Sequence, residues 1–205
     1  SANLPKLNRA LERSNIQYRH AYAHMLDFEN SITDFSTKQY HIGVSGHLSW
    51  ETYSTRTRIF DYLSRFEKDK LSLTYLPHPG YEIANASHDI IGEKYIHFLS
   101  SSWLNVTCRG GWRNGLVCKY IEIGKGLSLP VCDIPHDMPK EMKNVVVSID
   151  HDDTNLELKQ KIYTALEDSN LKDRTLHYQD LCKKNFDYRI LMPKFINCIE
   201  SLCEE

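Results

Sequence analysis

Apolar residues fall into three successive patterns along the chain. Leu4, Leu7, Ala10 and Leu11, then Tyr18, Tyr22, Met25 and Leu26, recur at helical spacing and predict a helical segment to about Asp34. From Tyr40 the pattern changes to short apolar runs alternating with amphipathic stretches. The runs at 41–45, 71–76, 103–108, 127–131 and 145–149 predict strands, and the stretches 52–66, 92–100 and 115–125 predict helices. Beyond residue 150 only helical stripes remain, carried by Leu156, Ile162, Leu166, Leu181, Phe186, Ile190, Phe195 and Ile199. A helix boundary is expected at Asn185 or Asp187.

Strands alternating with helices imply right-handed βαβ units and a parallel sheet. The expected fold class is α/β: a Rossmann-like parallel sheet flanked by helices over residues 39–205, preceded by a helical N-terminal segment, residues 1–38. In such sheets ligands bind beyond the carboxyl ends of the strands. That rule singles out four loops, 46–53, 77–81, 108–115 and 131–137.

Composition narrows the classes. The formal net charge is -2, without the basic excess that nucleic-acid binding requires, so no nucleic-acid partner is expected. The six cysteines form no C-x-x-C pair, and their scatter fits reduced, mostly buried thiols and a cytoplasmic location. No apolar run is long enough for a membrane span. The sequons at Asn85 and Asn105 are discounted, the second because it falls in an expected buried strand. The chain opens on Ser1-Ala2-Asn3, which suits a module taken from a longer polypeptide.

The four loops are rich in groups that tolerate phosphate. They carry Gly46, His47, His78, Gly80, Tyr81, Arg109, Gly110, Gly111, Arg113, Asn114 and Gly115, with Arg56 and Arg58 just inside the following helix. Glycine admits close backbone approach, and arginine offers a fork of donors. Helix starts near Thr52 and Gly115 add free backbone N–H groups.

The run from Asn114 to Val131, with its Gly115, Lys119, Glu122 and Pro130-Val131, resembles the donor-site signature of GT-B glycosyltransferases. Gly43-Val44-Ser45-Gly46-His47 and Pro77-His78-Pro79-Gly80-Tyr81 are similar to the same domain's first two strand–loop units. The resemblance covers about four fifths of the chain and rests on the order of these features rather than on one motif. It implies a single GT-B half-domain, with Glu122 accepting from the ribose hydroxyls and Lys119 near the diphosphate of a nucleoside diphosphate sugar. A carboxylate can accept two hydroxyl protons of a cis-diol, and residues three apart share a helix face. Two features depart from the family. Asn114 stands where many retaining members carry a second glutamate, and Gly126 is one place early.

The expected activity is therefore sugar transfer from a nucleoside diphosphate sugar to a glycan or other hydroxyl acceptor. No metal or other cofactor is expected. Asp150-His151-Asp152-Asp153 reads as a loop before a helix capped by Thr154, not as a cation site. An acceptor-binding domain or subunit is the implied partner. If the N-terminal segment replaces it, a base would come from His20, His24, Asp27, Glu29 or Asp34, or from His47 at the cleft edge. Two alternatives stand beside the enzyme reading. One is a nucleotide-binding module without chemistry of its own. The other is a flavodoxin-like response regulator, disfavoured because His47 and Arg109 occupy loops where that class needs carboxylates.

Overall fold

Five apolar runs pair side by side as an all-parallel sheet. In the computed structural model, which describes residues 26–78, 92–109 and 115–203, the strand order is β2-β1-β3-β4-β5. The strands are β1 (Tyr40–Ser45), β2 (Leu73–Leu76), β3 (Ser102–Val106), β4 (Leu129–Cys132) and β5 (Val147–Ser148). In β1 the last four residues are buried, and all four of β4 are. Helices cover both faces of a parallel sheet, so its inner strands are buried without strict alternation. Ile42 pairs with Leu73 on one side and Leu104 on the other, which puts β1 at the centre of the crossover.

The helices are α1 (Ser54–Tyr62), α2 (Glu93–Ser100), α3 (Cys118–Lys125), α4 (Lys140–Lys143), α5 (Asn155–Leu166), α6 (Leu171–Phe186) and α7 (Tyr188–Cys203). This is the expected α/β, Rossmann-like arrangement. The same strand order is also shared by flavodoxin-like sheets. α1 runs on into a π turn, Leu63–Glu67. The turn delivers Glu67, 3% exposed, to Lys159 Nζ at 2.8 Å and to the hydroxyls of Tyr62 and Tyr163. A buried carboxylate is tolerable because each oxygen finds a donor.

α3 and α6 pack closely. A Cβ at Gly124 would lie 2.5 Å from Cys182 Sγ, so only glycine fits there. Tyr178 reaches across the same contact to donate to the Tyr120 carbonyl at 2.9 Å. Thr154 caps α5 in a reciprocal box with Glu157, as the sequence pattern predicts. The boundary before α7 falls at Asp187. Its carboxylate accepts from the Arg189 N–H at 2.9 Å, which starts a new helix instead of continuing α6.

One expectation fails. Residues 26–34 are not helical but extended and turned. Asp27 Oδ1 accepts from the Glu29 N–H, and Asp34 caps the 3-10 turn Phe35–Thr37. Such local side-chain bonds compete with helix formation. The rest of the predicted N-terminal helix lies outside the described residues. Strand ends also shift: the run 71–76 pairs only from Leu73, and 145–149 only over Val147–Ser148.

Candidate functional site

The chain leaves β1 toward β2 on one side and returns to β3 on the other, so a crevice opens between the ends of β1 and β3. β1 ends in Ser45 and Gly46. Gly46 has φ +97, a conformation that side chains rarely adopt. Two cations converge on it. Lys119, from the first turn of α3, donates through Nζ to the Ser45 carbonyl at 2.6 Å. Arg56, from the first turn of α1, donates through Nη1 to the His47 carbonyl at 3.1 Å and stacks on the Tyr53 ring at 4.6 Å. A Cβ on Gly46 would stand 2.6 Å from Lys119 Nζ and 2.9 Å from Arg56 Nη1.

Arg56 is buried, at 4% exposed, and Lys119 is half-buried. Among the described residues no carboxylate forms an ion pair with either. Arg56 Nε and the Thr107 hydroxyl are buried with no hydrogen-bond partner. Thr107 follows Val106, which pairs with Val44, so it stands across the sheet from Ser45. Burial, then the Arg56 charge, brings the Lys119 ammonium down to about 7. Burial followed by the charges of Lys119, His47 and Arg56 lowers His78. The Arg56 Nε thus lacks the acceptor that a buried donor ordinarily finds, and it stands beside a second cation.

Glu122 lies one turn further along α3 and faces a cavity of about 480 Å3. Burial raises its carboxyl, against the pull of Lys119 and Lys125. Tyr95 of α2 lines the same cavity and shares a 2.9 Å hydrogen bond with the Ser45 hydroxyl. Ser45 therefore joins the two halves of the site: its carbonyl holds the cation, and its hydroxyl holds the cavity wall.

Other residues singled out from the sequence take different places. Arg58, on the other side of α1, donates to the carbonyls of Asp150, His151 and Asp153, and ties α1 to the loop after β5. Arg109 is held by Asp133, through its N–H at 2.9 Å and Nε at 3.2 Å. Asp137 accepts from the Leu116 N–H at 2.7 Å and packs against Gly115. His47 is on the exposed rim, edge-on to Tyr53. Gly80, Tyr81, Gly110 and Asn114 lie outside the described residues, as do His20 and His24. Asp27 and Glu29 face Arg189, and Asp34 is taken by Ser36. Asp153 is occupied by Lys161 and the Asp150 N–H.

Asp133, Tyr95 and Thr107 were not singled out from the sequence. Asp133 accepts from Thr55, Arg109 and Tyr120, so one carboxylate at the end of β4 ties α1, the loop after β3 and α3 together. Its place at the end of a predicted strand was the available signal.

The all-parallel sheet and its crevice define a Rossmann-like α/β domain. The fold is similar to that of an alpha-glucosyltransferase solved in complex with UDP-glucose and DNA containing an abasic site, with TM-score 0.56 and 13% identity. The likeness covers 85% of this chain, which spans 57% of that enzyme's chain. No family model matches the sequence, and no curated protein matches it. Among the described residues no helix is long and apolar enough to cross a membrane.

Proposed function

We propose that the chain binds a nucleoside diphosphate sugar and serves sugar transfer to a hydroxyl acceptor, as the donor half of a GT-B type enzyme. The observation that carries this reading is the buried Arg56 and the half-buried Lys119, brought together around Gly46 with no carboxylate among the described residues in contact with either. A diphosphate would take the unpaired Arg56 Nε and the Lys119 ammonium, and Glu122 would accept from the ribose hydroxyls. When the bond from the sugar to the diphosphate breaks, negative charge grows on the departing oxygen. Cations already in position stabilise it without reorganising. In this reading the two side chains supply the charge that a metal would otherwise bring, and transfer survives EDTA.

The likeness to an alpha-glucosyltransferase solved in complex with UDP-glucose supports the reading at the level of fold. The test is calorimetric titration with UDP, GDP, TDP and their sugars, beside Glu122→Ala. Micromolar binding of one diphosphate that weakens at least about tenfold in the variant supports it. No binding of any of them sinks it.

A second reading, a binding module that needs a partner for chemistry, has its own support. Asp27, Glu29 and Asp34 are engaged elsewhere, which leaves His47 as the base at the crevice among the described residues expected from the sequence. Turnover by this chain alone would remove the second reading.

A further inference from the structure

The cavity beside Glu122 has a wall that does not belong to the βαβ units. Leu26, Asn30 and Ile32 line it together with Tyr95 and Ile96 of α2. This wall is fastened at both ends. The Leu26 N–H donates to the Phe186 carbonyl at 3.0 Å, and its carbonyl accepts from the Tyr188 N–H at 3.1 Å. Phe28 is buried in the core. The Ile32 N–H donates to the Lys125 carbonyl at 3.1 Å, and the Ile32 carbonyl accepts from Gln179 Nε2 at 2.8 Å.

The lining suits a flat heteroaromatic ring. Leu26, Ile32 and Ile96 offer apolar faces, while Asn30 and Glu93 offer polar groups for a ring edge. A volume of about 480 Å3 falls within the range of small-molecule sites. The cavity is also joined to the cation pair, since Tyr95 and Lys119 are both bonded to Ser45.

We propose that this cavity holds the nucleoside end of the donor, and that residues 26–32 form its selectivity wall, with Asn30 reading the ring edge. The proposal rests on the donor-site reading above and extends it to which residues choose the base. Binding then divides between two places: the diphosphate at Gly46, and the base against the 26–32 segment.

Titration with inorganic pyrophosphate and with UDP, GDP and TDP separates them. Ile96→Trp fills the cavity and is expected to weaken the preferred nucleotide about thirtyfold while pyrophosphate binding stays within about twofold. Asn30→Ala, at an exposed position, is expected to weaken that nucleotide about fivefold and narrow its preference over the other two, again sparing pyrophosphate. Unchanged nucleotide affinity in both variants overturns the proposal and leaves the anion site standing. Failure of the unaltered chain to bind pyrophosphate or any nucleotide overturns the donor-site reading, and this inference with it.

Discussion

Lys119 Nζ lies 2.6 Å from the Ser45 carbonyl oxygen, so a residue of α3 places its charge at the end of β1. The contact crosses the sheet's crevice and depends on the glycine that follows. With the Arg56 guanidinium opposite, it gives the end of β1 two positive charges and no negative one in contact.

Diphosphate affinity should therefore depend on pH. Lys119 titrates at about 7 because burial and then Arg56 oppose its charge, against the pull of Glu122. Anion binding needs the charged form, so affinity falls as pH rises from about 7 to 9. Titration across that range should show the fall, and Lys119→Met should bind weakly with a flat profile. Stability of the free protein runs the other way. The folded value lies below the unfolded 10.5, so the cost of burying the charge is full below about 7 and is relieved as pH rises toward 10.5. Lys38, also lowered to about 7 by burial, acts in the same direction. A denaturation midpoint that does not rise between pH 7 and 9 would contradict this.

Gly46→Ala tests the geometry directly. The added methyl meets both cations and forces a side chain into φ +97. A loss of about 1–3 kcal/mol is expected from the backbone alone. Pyrophosphate binding should drop at least about tenfold, because Lys119 and Arg56 must move apart. Unchanged binding in a folded variant would mean the anion sits elsewhere.

Asp133→Ala should loosen three elements at once. It strips the acceptor from the Thr55 hydroxyl and the Arg109 N–H, while the Tyr120 hydroxyl loses one of two acceptors and keeps the Asp133 carbonyl at 2.9 Å. Leaving such donors unsatisfied costs about 1–3 kcal/mol each, before any rescue by water. Chemical denaturation should show a drop of at least about 2 kcal/mol, and Asp133→Asn, which keeps one acceptor oxygen, should recover part of it.

The contact between α3 and α6 gives a double-mutant prediction. Gly124→Ala should destabilise by about 1–3 kcal/mol through overpacking against Cys182. Adding Cys182→Ala removes the sulfur 2.5 Å away but keeps the Cβ at 3.0 Å, so rescue should be partial. Strict additivity of the two changes would show that the helices shift freely, contrary to the packing described.

The sheet was legible because its strands are short apolar runs separated by helical periods, and a parallel sheet leaves that pattern in sequence. The carboxyl-edge rule then pointed to Gly46 and to Arg56 just inside the following helix, and the resemblance to the donor-site signature pointed to Lys119. Arg58 was grouped with Arg56 as a candidate cation for the diphosphate. Two residues along a helix of 3.6 residues per turn faces nearly the opposite way, and its bonds go to the loop after β5. Tyr95 and Thr107 left no signal, because Tyr95 reaches Ser45 through a side-chain hydrogen bond and Thr107 is brought beside Ser45 by the pairing of Val106 with Val44, contacts about fifty to sixty residues apart that periodicity does not encode. Residues 26–34 misled for a related reason. Their apolar spacing suits a helix, but Asp27 and Asp34 bond to their own backbone neighbours, and Phe28 is buried in the core.

The bridge between Leu26 and Asp187 joins residues far apart in the chain. It closes a loop of about 160 residues, at an entropic cost of roughly 4–5 kcal/mol on a chain-closure estimate. Contacts that distant form only after the sheet and α6 have brought their ends together. The wall formed by residues 26–32 is therefore expected to close late in folding and to open before the sheet does. A nucleotide held against it would slow that release, so amide exchange at Leu26 and Ile32 would register occupancy of the cavity before any global change in stability.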